Sequence, residues 1–225
     1  MPRDQFEREL QELQSEMLEM ASKVEKAIVD AVNILAYRDM DGARALIARD
    51  REINQQRFDI EAQCLVVVAT QQPMASDLRI IAAILFIVNE LERIGDYAKG
   101  IAKINLRIPP GPLLKPLVDL PRMAEITRDM LYRAMDAFVR RDVVLARAIP
   151  RQDDQVDALF EHVNQELLQL IISDPGVTEQ ANLLMWAAHN LERAADRVTN
   201  LCERTLFTVT GEFVELDNKE PNQPE

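Results

Sequence analysis

The chain is short of several things at once. Only 6 of its 225 residues are glycine and 5% are aromatic, while Ala, Leu, Glu and Arg are abundant. That balance points to helix, since these are the residues that lose least in a helical backbone. There are two cysteines, Cys64 and Cys202, far apart and in no metal-type spacing. This excludes a disulfide framework and a cysteine zinc site, and a reducing cytosol is the expected setting. Cationic residues are scarce: 26 Lys and Arg stand against 38 Asp and Glu, for a net charge of −12. Direct binding to nucleic acid or to anionic lipid needs clustered Lys and Arg, so both are disfavoured, whereas binding of cations is compatible. The longest strongly apolar run is 80–88, far short of the ~20 residues of a bilayer span. The opening MPRDQFEREL lacks the basic-then-apolar order of a signal peptide. Also missing are a Gly-rich phosphate loop, a nucleophile elbow and a Ser/His/Asp arrangement.

Apolar periodicity is what remains, and it is strong. Over 4–38, Phe6, Leu10, Leu13, Met17, Met20, Val24, Ile28, Ala31 and Leu35 recur at spacings of three and four, predicting one long helix with a single apolar stripe. Asp39-Met40-Asp41-Gly42 interrupts it, and a second helix follows to about Thr70. Gln71-Gln72-Pro73 turns the chain, and Ser76 or Asp77 is the expected cap of a third helix to about Asn105. The stretch 80–88 is apolar all round, which predicts a central position in its bundle. Residues 106–121, LRIPPGPLLKPLVDLP, hold five of the 11 prolines and read as a linker.

Beyond the linker the pattern restarts. Helices are expected from about Arg122 to Arg140, from Asp142 to about Ile172, and, after the Asp174-Pro175-Gly176 turn, to about Phe207. The fold class is therefore all-α, a tandem repeat of two three-helix bundles with six helices. The expected divisions are 1–105 for the first bundle, 106–121 for the linker, 122–208 for the second bundle, and 209–225 for a polar, acidic, disordered tail.

The third helix of each half carries the same phrase. NELERIGDYA at 89–98 is matched by HNLERAADRV at 189–198, placing Glu92 with Asp96 and Glu192 with Asp196, four apart on one helix face. Each second helix has its own pair, Asp50 with Asn54 and Asp153 with Asp157. Asp50 and Asp96 are equidistant from Pro73, as are Asn54 and Glu92. Asp153 with Asp196, and Asp157 with Glu192, are likewise equidistant from the Asp174-Pro175 turn. In an antiparallel hairpin, residues equidistant from the turn lie level, so each half should bring its two pairs face to face across ~8–10 Å between axes.

Like charges at i,i+4 cost a few tenths of a kcal/mol on an open helix, and facing pairs cost more. A multivalent cation between them is the economical remedy. All-oxygen donors suit Mg²⁺, Mn²⁺, Ca²⁺ or iron, and suit zinc less without a Cys/His cluster. The plain alternative is a solvated acidic face paired with Arg93 and Arg193. With 38 acids, roughly six i,i+4 acidic pairs are expected by chance. Chance does not account for matched levels in both halves. His189, three residues before Glu192, is expected to be a satisfied polar residue, because its repeat counterpart is Asn89. His162 has no evident partner, and the cysteines read as buried thiols.

PMASDLR at 73–79, then NELERIGD at 89–96 and LERAADR at 191–197, resemble the PhoU family of phosphate-transport regulators over about 6–207. The second half departs from the motif in having Ala194-Ala195 where the first has Ile94-Gly95, and in lacking a DLR after its turn. The resemblance implies metal binding by Asp50, Glu92, Asp96, Asp153, Asp157, Glu192 and Asp196, with Asn54 departing from the acidic pattern. It implies a non-enzymatic, cytoplasmic protein at the inner membrane only through its partners. It implies a homodimer that restrains phosphate uptake and the phosphate-starvation response by linking the ATPase of a phosphate ABC transporter to a sensor histidine kinase. Two other classes fit a helical bundle with paired acids: a di-iron-type metalloenzyme, which would want Glu-x-x-His on two helices, and a metal-free scaffold.

Overall fold

The computed structural model describes residues 2–216, with side chains from residue 4 onward. Among the described residues every regular element is a helix and there are no strands. The first half contains α1 (Pro2–Ala36), α2 (Met40–Gln71) and α3 (Ser76–Arg107). The second contains α4 (Asp119–Arg140), a short α5 (Val143–Ala148), α6 (Asp153–Ser173) and α7 (Thr178–Thr210). This is the expected pair of three-helix bundles. The apolar stripe of α1 is inside: Leu13, Met17, Met20, Val24, Ile28 and Leu35 are buried.

The helix ends follow from local chemistry, with corrections. The Asp39 carboxylate accepts from the Asp41 and Gly42 amides and starts α2. Neither Ser76 nor Asp77 caps α3. Its N-cap is Ala75, at φ 44°, with no side-chain capping bond. The far end of α3 is closed from outside instead. Arg38 Nη1 donates to the Asn105 carbonyl at 2.7 Å and Nη2 to the Ile108 carbonyl at 2.9 Å, while Asn105 Nδ2 returns a bond to the Asp39 carbonyl at 2.9 Å. A guanidinium thus supplies the donors that terminal carbonyls need.

The expected fifth helix is not continuous. Asp142 does begin it, accepting from the Leu145 amide at 2.9 Å. Pro150 then forces a 3-10 turn over Ile149–Gln152 before α6 resumes. Proline has no N–H to give, and its ring clashes with the carbonyl four residues back. The fourth helix starts three residues earlier than expected, at Asp119. Pro121 is tolerated there because first-turn amides have no helical acceptor. After Thr210, Phe213 stacks on Phe207 at 4.3 Å and the Leu216 amide donates to Glu203 Oε1 at 3.0 Å. The start of the tail, expected to be disordered from 209, is therefore held against α7; the rest of it, 217–225, lies outside the described residues.

α3 packs against α1, α2 and α7, which accounts for burial around most of its 80–88 stretch. The α3–α7 contact joins the halves. Glu90, 7% exposed, accepts from Arg197 Nη1 at 3.3–3.4 Å and from Asn200 Nδ2 at 3.2 Å. Tyr97 lies beside Arg193 and Arg197. A methyl group added at Gly100 would lie 2.8 Å from Asn190 Oδ1, so the backbone there runs against α7. The pairs 90 with 200, 97 with 193, and 100 with 190 show two antiparallel helices crossing at the level of Gly95 and Ala195, which are themselves repeat counterparts. The seam has the form of a two-fold dimer contact built within one chain.

Candidate functional site

The hairpin register expected from the turns holds. Arg57 and Asn89 are each sixteen residues from Pro73, and Arg57 Nη1 donates to Asn89 Oδ1 at 3.0 Å. In the second half Phe160 and His189 are equidistant from the Asp174-Pro175 turn, and their rings lie 5.9 Å apart. These two contacts are repeat equivalents of one another. The α2–α3 and α6–α7 hairpins therefore place their acid pairs at corresponding levels.

In the first half, the set is drawn together by a residue outside the acid pattern. Lys99 Nζ donates to Asp50 Oδ2 at 2.6 Å and to Asp96 Oδ1 at 3.0 Å, spanning α2 and α3. Asn54 Nδ2 donates to the same Asp50 Oδ2 at 3.1 Å. Part of the charge compensation expected from an ion is thus supplied by an ammonium group. Burial pulls the Lys99 pKa down, but hydrogen bonds to Asp50 and Asp96 and their charges more than reverse this, leaving it above its ordinary value. The signal was in the sequence, since Lys99 follows Asp96 by three and so shares its face. Its repeat counterpart, Thr199, carries no charge and is buried.

Glu92 completes the set. Burial raises its pKa, the charges of Asp96 and Asp50 raise it further, and Arg57 and Arg93 oppose them. These carboxylates are therefore close enough to feel one another, as four-apart and cross-hairpin placement requires.

The second set is held differently. Asp153 opens α6 and is buried, at a helix N-terminus where the backbone dipole favours an anion. Asp157 is one turn on. On α7, Arg193 Nη1 donates to Asp196 Oδ2 at 2.7 Å, and His189 Nδ1 lies 3.3 Å from Glu192 Oε2. His189 also edges Trp186 at 5.9 Å between ring centroids.

One observation bears on whether a hard cation fits the first set. Asp50 Oδ1 is buried and has no hydrogen-bond partner. A buried carboxylate oxygen left unbonded is costly, and a cation is one partner that would satisfy it. Asp50 also lines a cleft of about 220 Å³, but with Lys23, Lys26, Asp30 and Arg49 and not with Asn54, Glu92 or Asp96, so this cleft is not the space between the paired acids. The donors are carboxylate and amide oxygens, the chemistry that Mg²⁺, Mn²⁺ or iron accepts.

Cys64 and Cys202 are buried, and burial pushes both thiols up to about 12. Neither is a nucleophile at neutral pH. Among the described residues no helix is long and apolar enough to cross a membrane.

Comparison with known proteins reaches both halves. The model of the PhoU domain matches residues 17–104 and again 120–205. A phosphate-specific transport system accessory protein PhoU homolog from Clostridium acetobutylicum is 35% identical over 219 residues, 97% of this chain and 100% of the relative. A homolog of the same description from Deinococcus radiodurans is 34% identical, over 93% of this chain and 98% of its own. The crystal structure of the phosphate transport system regulatory protein PhoU from Streptococcus pneumoniae superimposes with a TM-score of 0.85 at 31% identity, over 93% of this chain and 99% of that one. That of PhoU from Pseudomonas aeruginosa gives 0.86 at 33% identity, over 92% and 100%.

Proposed function

Because the chain belongs to the PhoU domain family, we propose that it is an accessory regulator of a phosphate transport system, restraining uptake and the phosphate-starvation response when phosphate is plentiful. The observation that carries this reading is the end-to-end match, in both repeats, to relatives described as phosphate-specific transport system accessory proteins. A match of one half would speak only for a shared bundle; a match of both speaks for the whole regulator.

On this reading the protein works in the cytoplasm as a homodimer and contacts the ATPase subunit of the transporter and a sensor histidine kinase. It regulates and does not catalyse. The two acid sets hold metal. Asp50, Asn54, Glu92 and Asp96 would bind one centre, and Asp153, Asp157, Glu192 and Asp196 the other. Bound there, a multivalent cation supplies positive charge that ties neighbouring helices together. The chain's own part is to hold oxygens level across each hairpin. In the first set, Lys99 competes for Asp50 and Asp96, so this centre is expected to bind less tightly than the second.

The test is genetic. Deleting the gene in its host should raise phosphate uptake and alkaline phosphatase activity in phosphate-replete medium. The wild-type gene should restore repression, and a form with Glu92, Asp96, Glu192 and Asp196 changed to Ala should fail to do so while still accumulating. Normal repression in the deletion strain, with no second copy of the gene present, would refute the regulatory reading. Full complementation by the acid-less form would refute the role of the metal.

A further inference from the structure

Away from both acid sets, α4 and α6 bring three other donors together. Asp119, at the first residue of α4, is 7% exposed. His162 and Glu166 lie on α6, and the His-x-x-x-Glu spacing puts both on one face, toward Asp119. One donor atom from each of the three lies within 4.8 Å of the other two. We propose that Asp119, His162 and Glu166 form a site for a divalent transition-metal ion such as Zn²⁺, independent of the paired acids.

Distances carry the argument. Ring nitrogen and carboxylate oxygen ligands sit about 2.0–2.1 Å from zinc. Two ligands of one ion are then about 3.0 Å apart at a right angle and about 3.4 Å apart at the tetrahedral angle. His162 Nδ1 and Asp119 Oδ2 are 3.0 Å apart. That contact is a hydrogen bond whose length is also that of a coordination edge, and Glu166 offers a carboxylate oxygen within 4.8 Å of both. The site is built on one side and open on the other. Asp119 is fixed by burial at a helix start, while the His162 side chain is 62% exposed, leaving room for water to complete the shell. An imidazole with two carboxylates is a borderline donor set. It favours zinc, cobalt or nickel over the magnesium that all-oxygen acid sets accept.

The site also has an occupant of the right sign. Lys115, in the proline-rich segment before α4, is paired with Glu166. Arg122 Nη1 stands 3.8 Å from Asp119 Oδ1. An arriving ion competes with Lys115 for the Glu166 carboxylate, so the Lys115 contact weakens zinc binding.

The chain has 2 histidines, so ¹⁵N-imidazole NMR of the full-length protein reads this site directly. Zinc chloride should move the His162 ring nitrogens in step with the first equivalents bound. His162→Ala and Glu166→Gln should each lose roughly tenfold or more in zinc affinity by calorimetry, at least what loss of an outer-shell partner costs. Lys115→Met should gain affinity by severalfold. That opposite sign separates a metal site from a residue needed only for folding. Excess Mg²⁺ should not protect against the shift. His162 resonances unmoved at saturating zinc, or His162→Ala binding as many ions as tightly as the wild type, would overturn the proposal. So would Lys115→Met binding zinc no better than wild type.

Discussion

Lys99 of α3 holds its ammonium 2.6 Å from the Asp50 carboxylate of α2, and so ties the two arms of the first hairpin at the level of the repeated acids. Asp50 is almost wholly buried, and a carboxylate there without a cation is expensive. Lys99→Met should destabilise the protein by about 1–3 kcal/mol in chelator, measured by urea unfolding. The same variant should bind Mn²⁺ more tightly at the first set, because the competing ammonium is gone. Equal stability with unchanged manganese affinity would show that this ion pair matters to neither.

Glu92 offers the converse case. Its pKa is raised by burial, then by Asp96 and Asp50, against the pull of Arg57 and Arg93. An acid whose folded pKa lies above its free value gives stability that is full below the free value of 4.5 and lost as pH climbs through the folded one. In chelator, Glu92→Gln should therefore flatten the fall in stability above pH 4.5. At neutral pH it should raise the Tm by roughly 1 °C, the scale of a few tenths of a kcal/mol. It should weaken metal binding at the same time. A lower Tm at pH 7 in chelator would contradict the assigned repulsion.

Gly95 sits in the middle of α3 where the second half has Ala195. A methyl group there would meet Ile53 Cδ1 at 3.5 Å and Val24 Cγ2 at 3.9 Å, ordinary packing distances. Glycine within a helix costs about 0.5–1 kcal/mol relative to alanine. Gly95→Ala should accordingly raise the Tm by about 1–4 °C by calorimetry. A fall would mean that α2 and α3 approach more closely in solution than this packing allows.

Glu90 and Arg197 join the halves, and a double-mutant cycle measures them. Glu90→Gln and Arg197→Met should show a coupling of about 0.5–3 kcal/mol in urea unfolding. Additive effects would place the cohesion of the seam in its apolar contacts alone.

Most of the architecture could be read from residue order. The stripe of α1, the prolines of the linker and the two turns determine helix number and pairing, because they act through neighbours within a few positions. The register was legible for the same reason: counting outward from Pro73 leads to Arg57 and Asn89, which touch. What escaped depends on partners far along the chain. Lys99 shares a face with Asp96, which is local, but its tie to Asp50 spans 49 positions. His162 has no partner legible in the sequence because Asp119 falls among the linker prolines, whereas α4 begins there. The interruption at Pro150 is a local signal that the apolar period around it masks. The closure of α3 by Arg38 could not be seen at all, since that side chain reaches carbonyls 67 and 70 positions away.

The crossing of α3 and α7 has an ancestral implication. Its contacts pair positions as a symmetric dimer would, yet the symmetry has decayed: Glu90 meets Asn200, while the mirror pair is Asn190 against Gly100. A gene cut back to either half would encode a bundle unable to greet its own twin in the same way, since the acid sits on one side and its basic mate on the other. The two halves, co-expressed as separate chains, would find each other in preference to themselves.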